Sequence, residues 1–214
     1  MQYKVEDFIR EVRIALDRNM SSDALAALGD TDTLALDDII RSKVLDSVRT
    51  VEMEAPLYRL GPGIPFGESI AWDAQEGIGS GYVLLPKDFL RLIAFQMTDW
   101  NQAVYEPITP ADPRYGMQKS RFPGIKGNPQ KPVVALVNKP VGMALEFYSC
   151  QGGQGTAIAI ASYLPEPRII EGKIGIPAQI KDAAVYHAAY LTAVTMEESE
   201  QSEKLLAVRN SLMQ

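Results

Sequence analysis

The chain has 214 residues, a net charge of −6, 46% hydrophobic and 22% charged residues, which is the composition of an ordinary globular protein. At this length we expect one domain with an elaborated insertion. The acidic balance argues against a surface that grips nucleic acid, because phosphate binding needs cationic side chains. The single cysteine, Cys150, excludes an internal disulfide and any multi-cysteine metal site.

The first residues favour a protein that is made in the cytoplasm and stays there. Residues 1–7 (MQYKVED) carry acidic side chains where a secretory signal would have a basic start and an apolar core. No apolar run approaches the roughly 18 residues that are needed to span a bilayer. We therefore expect a soluble chain without membrane contact.

Residues 1–60 are predicted to form helices. An apolar stripe at helical spacing runs through Val5, Phe8, Ile9, Val12 and Leu16. A second helix is expected to begin between Thr33 and Asp37. It should end before Pro56, because proline disfavours helical backbone in the preceding residue. Since neither helix is stable alone, we expect the two to pack as an antiparallel pair.

Residues 61–176 are predicted to form a β-rich domain. The segment 61–67 (GPGIPFG) excludes helix and marks the border. Short β-prone runs follow, separated by Gly, Pro, Asn or Asp, which is typical of an antiparallel sheet or sandwich. The runs are 69–73, 81–85, 90–97, 103–107, 132–137, 143–150 and 158–163. Turn residues predict hairpins at 99–102 and 138–142.

A long loop at 117–131 interrupts this domain. Thr109 is expected to cap a short helix before it, with Pro110 at the first helical position. The residues that follow show no periodicity and include the basic Arg121, Lys126 and Lys131. A loop of this length inside a compact domain is unusual and often functional.

Residues 177–214 are predicted to form one long helix and its tail, which together complete the N-terminal helices. Alanines keep the first part slim, so that other helices can approach it closely. The apolar stripe continues after the acidic segment 197–200 (EESE) towards the C-terminal end. This ending suggests a subunit that is built for assembly.

No arrangement for catalysis, cofactor binding or metal binding emerges from the sequence. The glycine-rich segment 151–155 lacks the Gly-Lys-Ser/Thr ending of a phosphate loop and precedes a strand, so we interpret it as a hairpin tip. His187 is the only histidine and lies on an apolar helical face, and nothing indicates that it pairs with Cys150. We expect no catalytic, cofactor-binding or metal-binding residues and no enzymatic activity.

The order of elements resembles the head–tail connector, or portal adaptor, proteins of tailed bacteriophages. Two helices precede the run 81–92 (GYVLLPKDFLRL), in which a Leu-Pro-x-Asp-Phe segment separates two strands. The run 109–115 (TPADPRY), a variable loop, a hairpin of 133–137 with 144–148 and an extended segment at 158–163 follow. A helix that begins near an Ile-Pro pair and is rich in Ala and Tyr closes the chain. The resemblance covers roughly residues 33–213.

The resemblance implies an α+β fold, in which a helical bundle of residues 1–60 and 177–214 carries an inserted antiparallel β-sandwich-like domain. It implies a virion structural protein that forms a homo-oligomeric ring, taken to be twelve-fold, between the portal protein and downstream tail or ring proteins. DNA would pass through the lumen without specific binding, helped by acidic side chains that repel its backbone. The protein would lie at the head–tail junction of the virion, and in the host cytoplasm during assembly.

Candidate contact residues follow from this interpretation. Those expected to contact the portal or a neighbouring subunit are Leu205, Val208, Leu212 and Met213. Those expected to face the tail are Arg121, Lys126 and Lys131. One alternative is a bacterial binding module whose β-domain recognises a protein or a glycan through its loops. An enzyme that uses Asp or Glu chemistry is a further alternative.

Overall fold

The computed structural model describes residues 1–17, 35–67, 69–73, 79–120, 122, 124–148 and 150–214. Its helices are α1 (Val5–Ala15), α2 (Leu36–Glu54), α3 (Pro113–Met117), α4 (Lys181–Thr195) and α5 (Ser199–Met213). Its strands are β1 (Gln2–Lys4), β2 (Ile64–Pro65), β3 (Ala71–Trp72), β4 (Gly81–Leu84), β5 (Phe89–Met97), β6 (Val134–Lys139), β7 (Gly142–Phe147), β8 (Ile158–Pro165), β9 (Ile169–Ile170) and β10 (Lys173–Gly175). The fold is mixed α and β with antiparallel sheets, as the sequence predicts.

The chain divides into two compact units. Residues Met1–Gly61 and Glu166–Gln214 form one, here called the helical unit, and Pro62–Pro165 form the other, here called the β unit. The β unit is therefore an insertion between the first and last elements of the helical unit. Its C-terminal border differs from the predicted one, because β9 and β10 form a sheet with β1 and so bring residues 166–176 into the helical unit.

In the helical unit, α4 packs against α1, α2 and α5. Its buried residues include the alanines 183, 184, 188, 189 and 193, whose small side chains let the other helices approach closely. The helices α1 and α2 each contribute an apolar stripe, as predicted from their periodicity. Between α2 and α4, the buried Ser47 hydroxyl donates a hydrogen bond to the Ala184 carbonyl at 2.6 Å. Apolar burial from all four helices thus stabilises the unit.

The prediction of a single helix over 177–214 is wrong, because the chain turns between α4 and α5. Glu197 adopts φ +60°, in the left-handed region that non-glycine residues seldom occupy. The Glu198 N–H donates to the Ala193 carbonyl at 2.9 Å and closes α4. From there α5 folds back along α4, and the Gln201 side chain donates to the Leu16 carbonyl at 2.8 Å.

The β unit contains two antiparallel sheets, with strand orders β2-β8-β5 and β3-β4-β7-β6. Strands β5 and β8 pair through Phe95 and Ala161, and β6 and β7 pair through Val134 and Phe147. All four of these residues belong to one apolar cluster, to which both sheets contribute. The core of the unit therefore lies where the two sheets supply side chains together.

Most of the predicted strands are confirmed, but one predicted strand and one predicted hairpin tip are wrong. The hairpin at 138–142 joins β6 and β7 as expected. Residues 103–107 are not a strand, since Val104 makes only an isolated bridge with Phe95. The glycine-rich segment is not a hairpin tip, because its turn at Gly153–Gly155 links β7 in one sheet to β8 in the other.

Candidate functional site

Asp112, rather than Thr109, caps the short helix α3. Its carboxylate accepts a hydrogen bond from the Arg114 N–H at 2.8 Å, and Pro113 takes the first helical position, where a missing N–H costs nothing. Thr109 lies in a preceding turn, in which its carbonyl accepts from the Asp112 N–H at 2.9 Å. The predicted capping pattern is therefore present but lies further along the chain.

Glu146 on β7 ties α3 to the sheet. Its carboxylate accepts hydrogen bonds from the hydroxyls of Tyr115 at 3.1 Å and Tyr148 at 2.7 Å, and it forms an ion pair with Lys139. Burial opposes its ionisation, but the bonds from Lys139 and Tyr148 outweigh burial, and the pKa of Glu146 is lowered. Glu146 is thus an ionised anchor and not a proton donor.

Gln118 fastens the two ends of the following loop to each other. Its side chain is buried, donates to the Arg114 carbonyl at 2.9 Å and accepts from the Gly127 N–H at 2.8 Å. Gly127 packs so closely on Val133 that a Cβ at this position would lie 3.0 Å from the Val133 Cβ. A larger residue at position 127 would therefore require Val133 or the loop to shift by a few tenths of an ångström.

The C-terminal end of the loop is fastened to the turn at residues 99–102. The Asn128 side chain accepts from the N–H groups of Gln130 and Lys131, both at 3.0 Å, which shapes a tight turn. The Asn101 N–H donates to the Pro129 carbonyl at 2.9 Å, and the Gln102 side chain donates to the Gln130 carbonyl at 3.1 Å. The segment 112–131, here called the basic loop, is thus held at both ends by the β unit.

Apolar side chains project from the middle of the basic loop. Met117, Phe122 and Ile125 are all exposed, Ile125 to 53%. From residue 115 to residue 131 the sequence has four basic residues and no acidic one. Lys126 is half-buried and Lys131 is exposed, whereas the predicted Arg121 lies outside the described residues. Exposed apolar groups on an anchored, basic loop are typical of an interaction surface.

The C-terminal candidates occupy different environments on α5. Leu205 is only 5% exposed and packs inside the helical unit, so it does not offer a contact surface. Val208 is 39% exposed, and Leu212 and Met213 are half-buried. The Arg59 guanidinium donates to the Leu212 carbonyl at 2.5 Å, which fixes the end of α5 on its own unit. Val208 is the best-placed of the four for contact with another chain.

His187 and Cys150 are buried residues in different units. Burial and the nearby Arg209 lower the pKa of His187, although Glu54, which pairs with Arg209, opposes the shift. Burial and then Asp99 raise the pKa of Cys150 to about 12, so the thiol is protonated and unreactive at neutral pH. Both residues are therefore packed in the interior of their units, in agreement with the interpretation of His187 from the sequence.

No cluster of three or more His, Cys, Asp or Glu that could hold a metal ion is found among the described residues. Of the helices in the described part of the chain, none is long and apolar enough to cross a membrane. No protein-family model matches the sequence, and no curated protein matches it either. Function is therefore inferred from the order of elements and from the exposed surfaces of the two units.

Proposed function

We propose that the chain is a virion structural protein, a head–tail connector that forms a ring beneath the portal of a tailed bacteriophage. The observation that carries this proposal is the division of the chain: both of its ends build one helical unit, and the β unit is inserted between them. The same order is implied by the resemblance of the sequence to portal adaptors. The proposed protein has no catalytic role and acts through its surfaces.

The proposal extends to the arrangement inside each unit. We describe the helical unit as a bundle, supported by the packing of α1, α2 and α5 around α4. We describe the β unit as sandwich-like, supported by an apolar cluster with side chains from both of its sheets. In a ring of such subunits, the helical unit would pack against neighbouring subunits, and the β unit would be available for other contacts.

Val208 is the centre of the proposed portal-facing surface. It is exposed on α5, close to the half-buried Leu212 and Met213. DNA would pass through the ring without specific contacts, since the chain carries a net charge of −6 and like charges repel. The site of action would be the head–tail junction of the virion, reached by assembly in the host cytoplasm.

One observation favours the alternative of a binding module. The basic loop is fastened to the β unit by Gln118 and Glu146 and presents Met117 and Ile125 to solvent. Binding loops on rigid scaffolds have this construction. The alternative predicts a monomer or dimer that recognises a protein or glycan through this loop and ignores portal proteins.

Co-purification with the portal protein encoded in the same genome tests the proposal. We expect the wild-type chain and an Ala207→Lys control to bind the portal, and Val208→Lys to lose most of that binding, because it places a charge on the proposed apolar contact. A genome in which metabolic or secretion genes, and no portal, capsid or tail genes, surround the coding sequence would contradict the proposal. So would a chain that binds no portal.

A further inference from the structure

We infer that the chain associates with further copies of itself through a heterologous contact, in which the basic loop of one copy docks in a groove of the next. The groove lies between α1 and α4. The inference rests on the proposed function, because a ring needs one contact that repeats from copy to copy. It assigns the loop to a neighbouring copy of this chain, and not to the tail as the sequence first suggested.

The groove belongs entirely to the helical unit and is lined by both apolar and polar side chains. Its volume is about 380 Å³, and its lining residues are Glu11, Ile14, Ala15, Asp182, Val185 and Tyr186. Ile14 is 59% exposed, although the opposite face of α1 is buried. An isoleucine with this exposure gains from being covered, because burial removes its apolar surface from water.

The lining of the groove carries one carboxylate that is not offset by an ion pair. Glu11 pairs with the Lys181 ammonium at 2.5 Å, so that its charge is largely offset. Asp182, in the first turn of α4, is exposed and supplies the remaining negative charge. The field of the whole chain, with its net charge of −6, has the same sign. A basic ligand is therefore attracted to this side of the groove.

The basic loop has the complementary composition. Met117 and Ile125 provide exposed apolar groups, each followed closely in sequence by a lysine, Lys119 and Lys126, and residues 115–131 include no acidic side chain. Apolar burial would supply the affinity, while the opposite charges would steer and orient the contact. Because Gln118 already holds the loop in place, little conformational freedom is lost on docking.

When each loop docks in the groove of a different copy, the contact between these two surfaces is heterologous. The loop lies in the β unit and the groove in the helical unit, so each copy uses a different patch on either side of the contact. A copy that is bound through its loop still offers its own groove to the next copy. Repetition of such a contact generates a ring when the rotation closes, and a filament when it does not.

Disulfide trapping between two differently marked copies tests the contact. In a Cys150→Ala background, a chain with Ile125→Cys is mixed at high concentration with a tagged chain that carries Ile14→Cys, and the mixture is oxidised. We expect the mixed disulfide well above the proportion that random pairing gives. Absence of the mixed disulfide would overturn the inference. So would a mixture in which the mixed disulfide and the two homodimers form in the proportions that random pairing gives.

A matched control and a charge reversal sharpen this experiment. Val141→Cys, on the turn between β6 and β7 and more exposed than Ile125, replaces Ile125→Cys in the control and should give no mixed disulfide. Lys126→Glu in the loop copy should reduce the yield, and Asp182→Lys in the groove copy should restore it. Unchanged thermal melting of each variant verifies that it is folded.

The outcome separates this contact from the proposed function. If the mixed disulfide is absent while the chain still binds the portal, the contact is wrong and the connector proposal stands. If the mixed disulfide forms but no portal is bound, self-association is real and the connector proposal fails.

Discussion

Glu52 is a buried carboxyl on α2, and burial raises its pKa from 4.5 to about 7. A raised pKa means that the protonated form stabilises the fold at low pH and that this contribution is lost as the pH rises from 4.5 to 7. The shift corresponds to roughly 3 kcal/mol in the free energy of unfolding. Glu52→Gln should remove this loss, so the variant should be more stable than the wild type at pH 8.

Urea unfolding at pH 4.5 and pH 8 measures the effect. Glu203→Gln, an exposed substitution on α5, serves as the control and should keep the wild-type dependence on pH. Equal pH dependence in Glu52→Gln and the wild type would show that Glu52 ionises in the folded protein as easily as in the unfolded chain.

His187 should act in the opposite direction. Burial and then the positive charge of Arg209 lower its pKa below 6.5. Below pH 6.5 the unfolded chain takes up a proton that the folded protein resists, so stability falls as the pH is lowered. In a Glu52→Gln background, the unfolding free energy should decrease between pH 7.5 and pH 5. Adding His187→Gln should flatten this decrease, and an unchanged slope would contradict the account.

At the level of residues, the sequence predicts which positions form an apolar stripe, but it does not predict which of these side chains are buried and which are exposed. Leu205 and Val208 belong to the same predicted stripe, yet only Leu205 is buried. Met117 and Ile125 were missed as candidates, because apolar residues in a segment without periodicity carry no sign of where they point. Exposure depends on which neighbouring elements cover a residue, and this is a property of the tertiary fold.

The helix α5 offers a direct comparison of a core residue with a surface residue. Leu205→Ala should lower the free energy of unfolding by roughly 2–5 kcal/mol, because it leaves a cavity at a buried position. Val208→Lys should change it by less than about 1 kcal/mol, as most surface substitutions do. Denaturant unfolding of both variants tests this, and a large loss with Val208→Lys would mean that Val208 supports the fold instead of a contact.

The basic loop should lose its shape when its internal anchor is removed. Gln118→Ala leaves the buried Gly127 N–H without its acceptor, which should cost roughly 1–3 kcal/mol. Hydrogen exchange of the amides at residues 124–131 should accelerate. Gln102→Ala, which removes only the exposed bond to the Gln130 carbonyl, is the control. Equal exchange in both variants would contradict the role given to Gln118.

At the level of elements, periodic segments were predictable and their interruptions were not. The apolar stripe of α1 and the run of β5 are apparent in the sequence, and both elements form. The break at Glu197 carries no glycine or proline that would have marked it in the sequence. Packing of α5 on α4 compensates for the unfavourable φ of this residue, so a glycine is not needed there. Pairing of β10 with β1 joins residues far apart in sequence, and local patterns do not reveal such contacts.

For the whole molecule, the inserted β unit and the return of the chain to the helical unit support an assembly subunit. The groove beside Ile14 combines residues of α1 and α4, so no single segment of the sequence could have indicated it. The basic loop, by contrast, was recognisable from its length and charge. Together they give each copy two different surfaces, as a closing ring requires.

The mass of the complex with the portal is the most direct test of the connector proposal. Native mass spectrometry of the 23.5 kDa chain, mixed with the portal protein of the same genome, counts the copies that are bound. The proposal predicts a closed ring with many copies of the chain on one portal oligomer. A chain that remains a free monomer or dimer in the presence of the portal would contradict it.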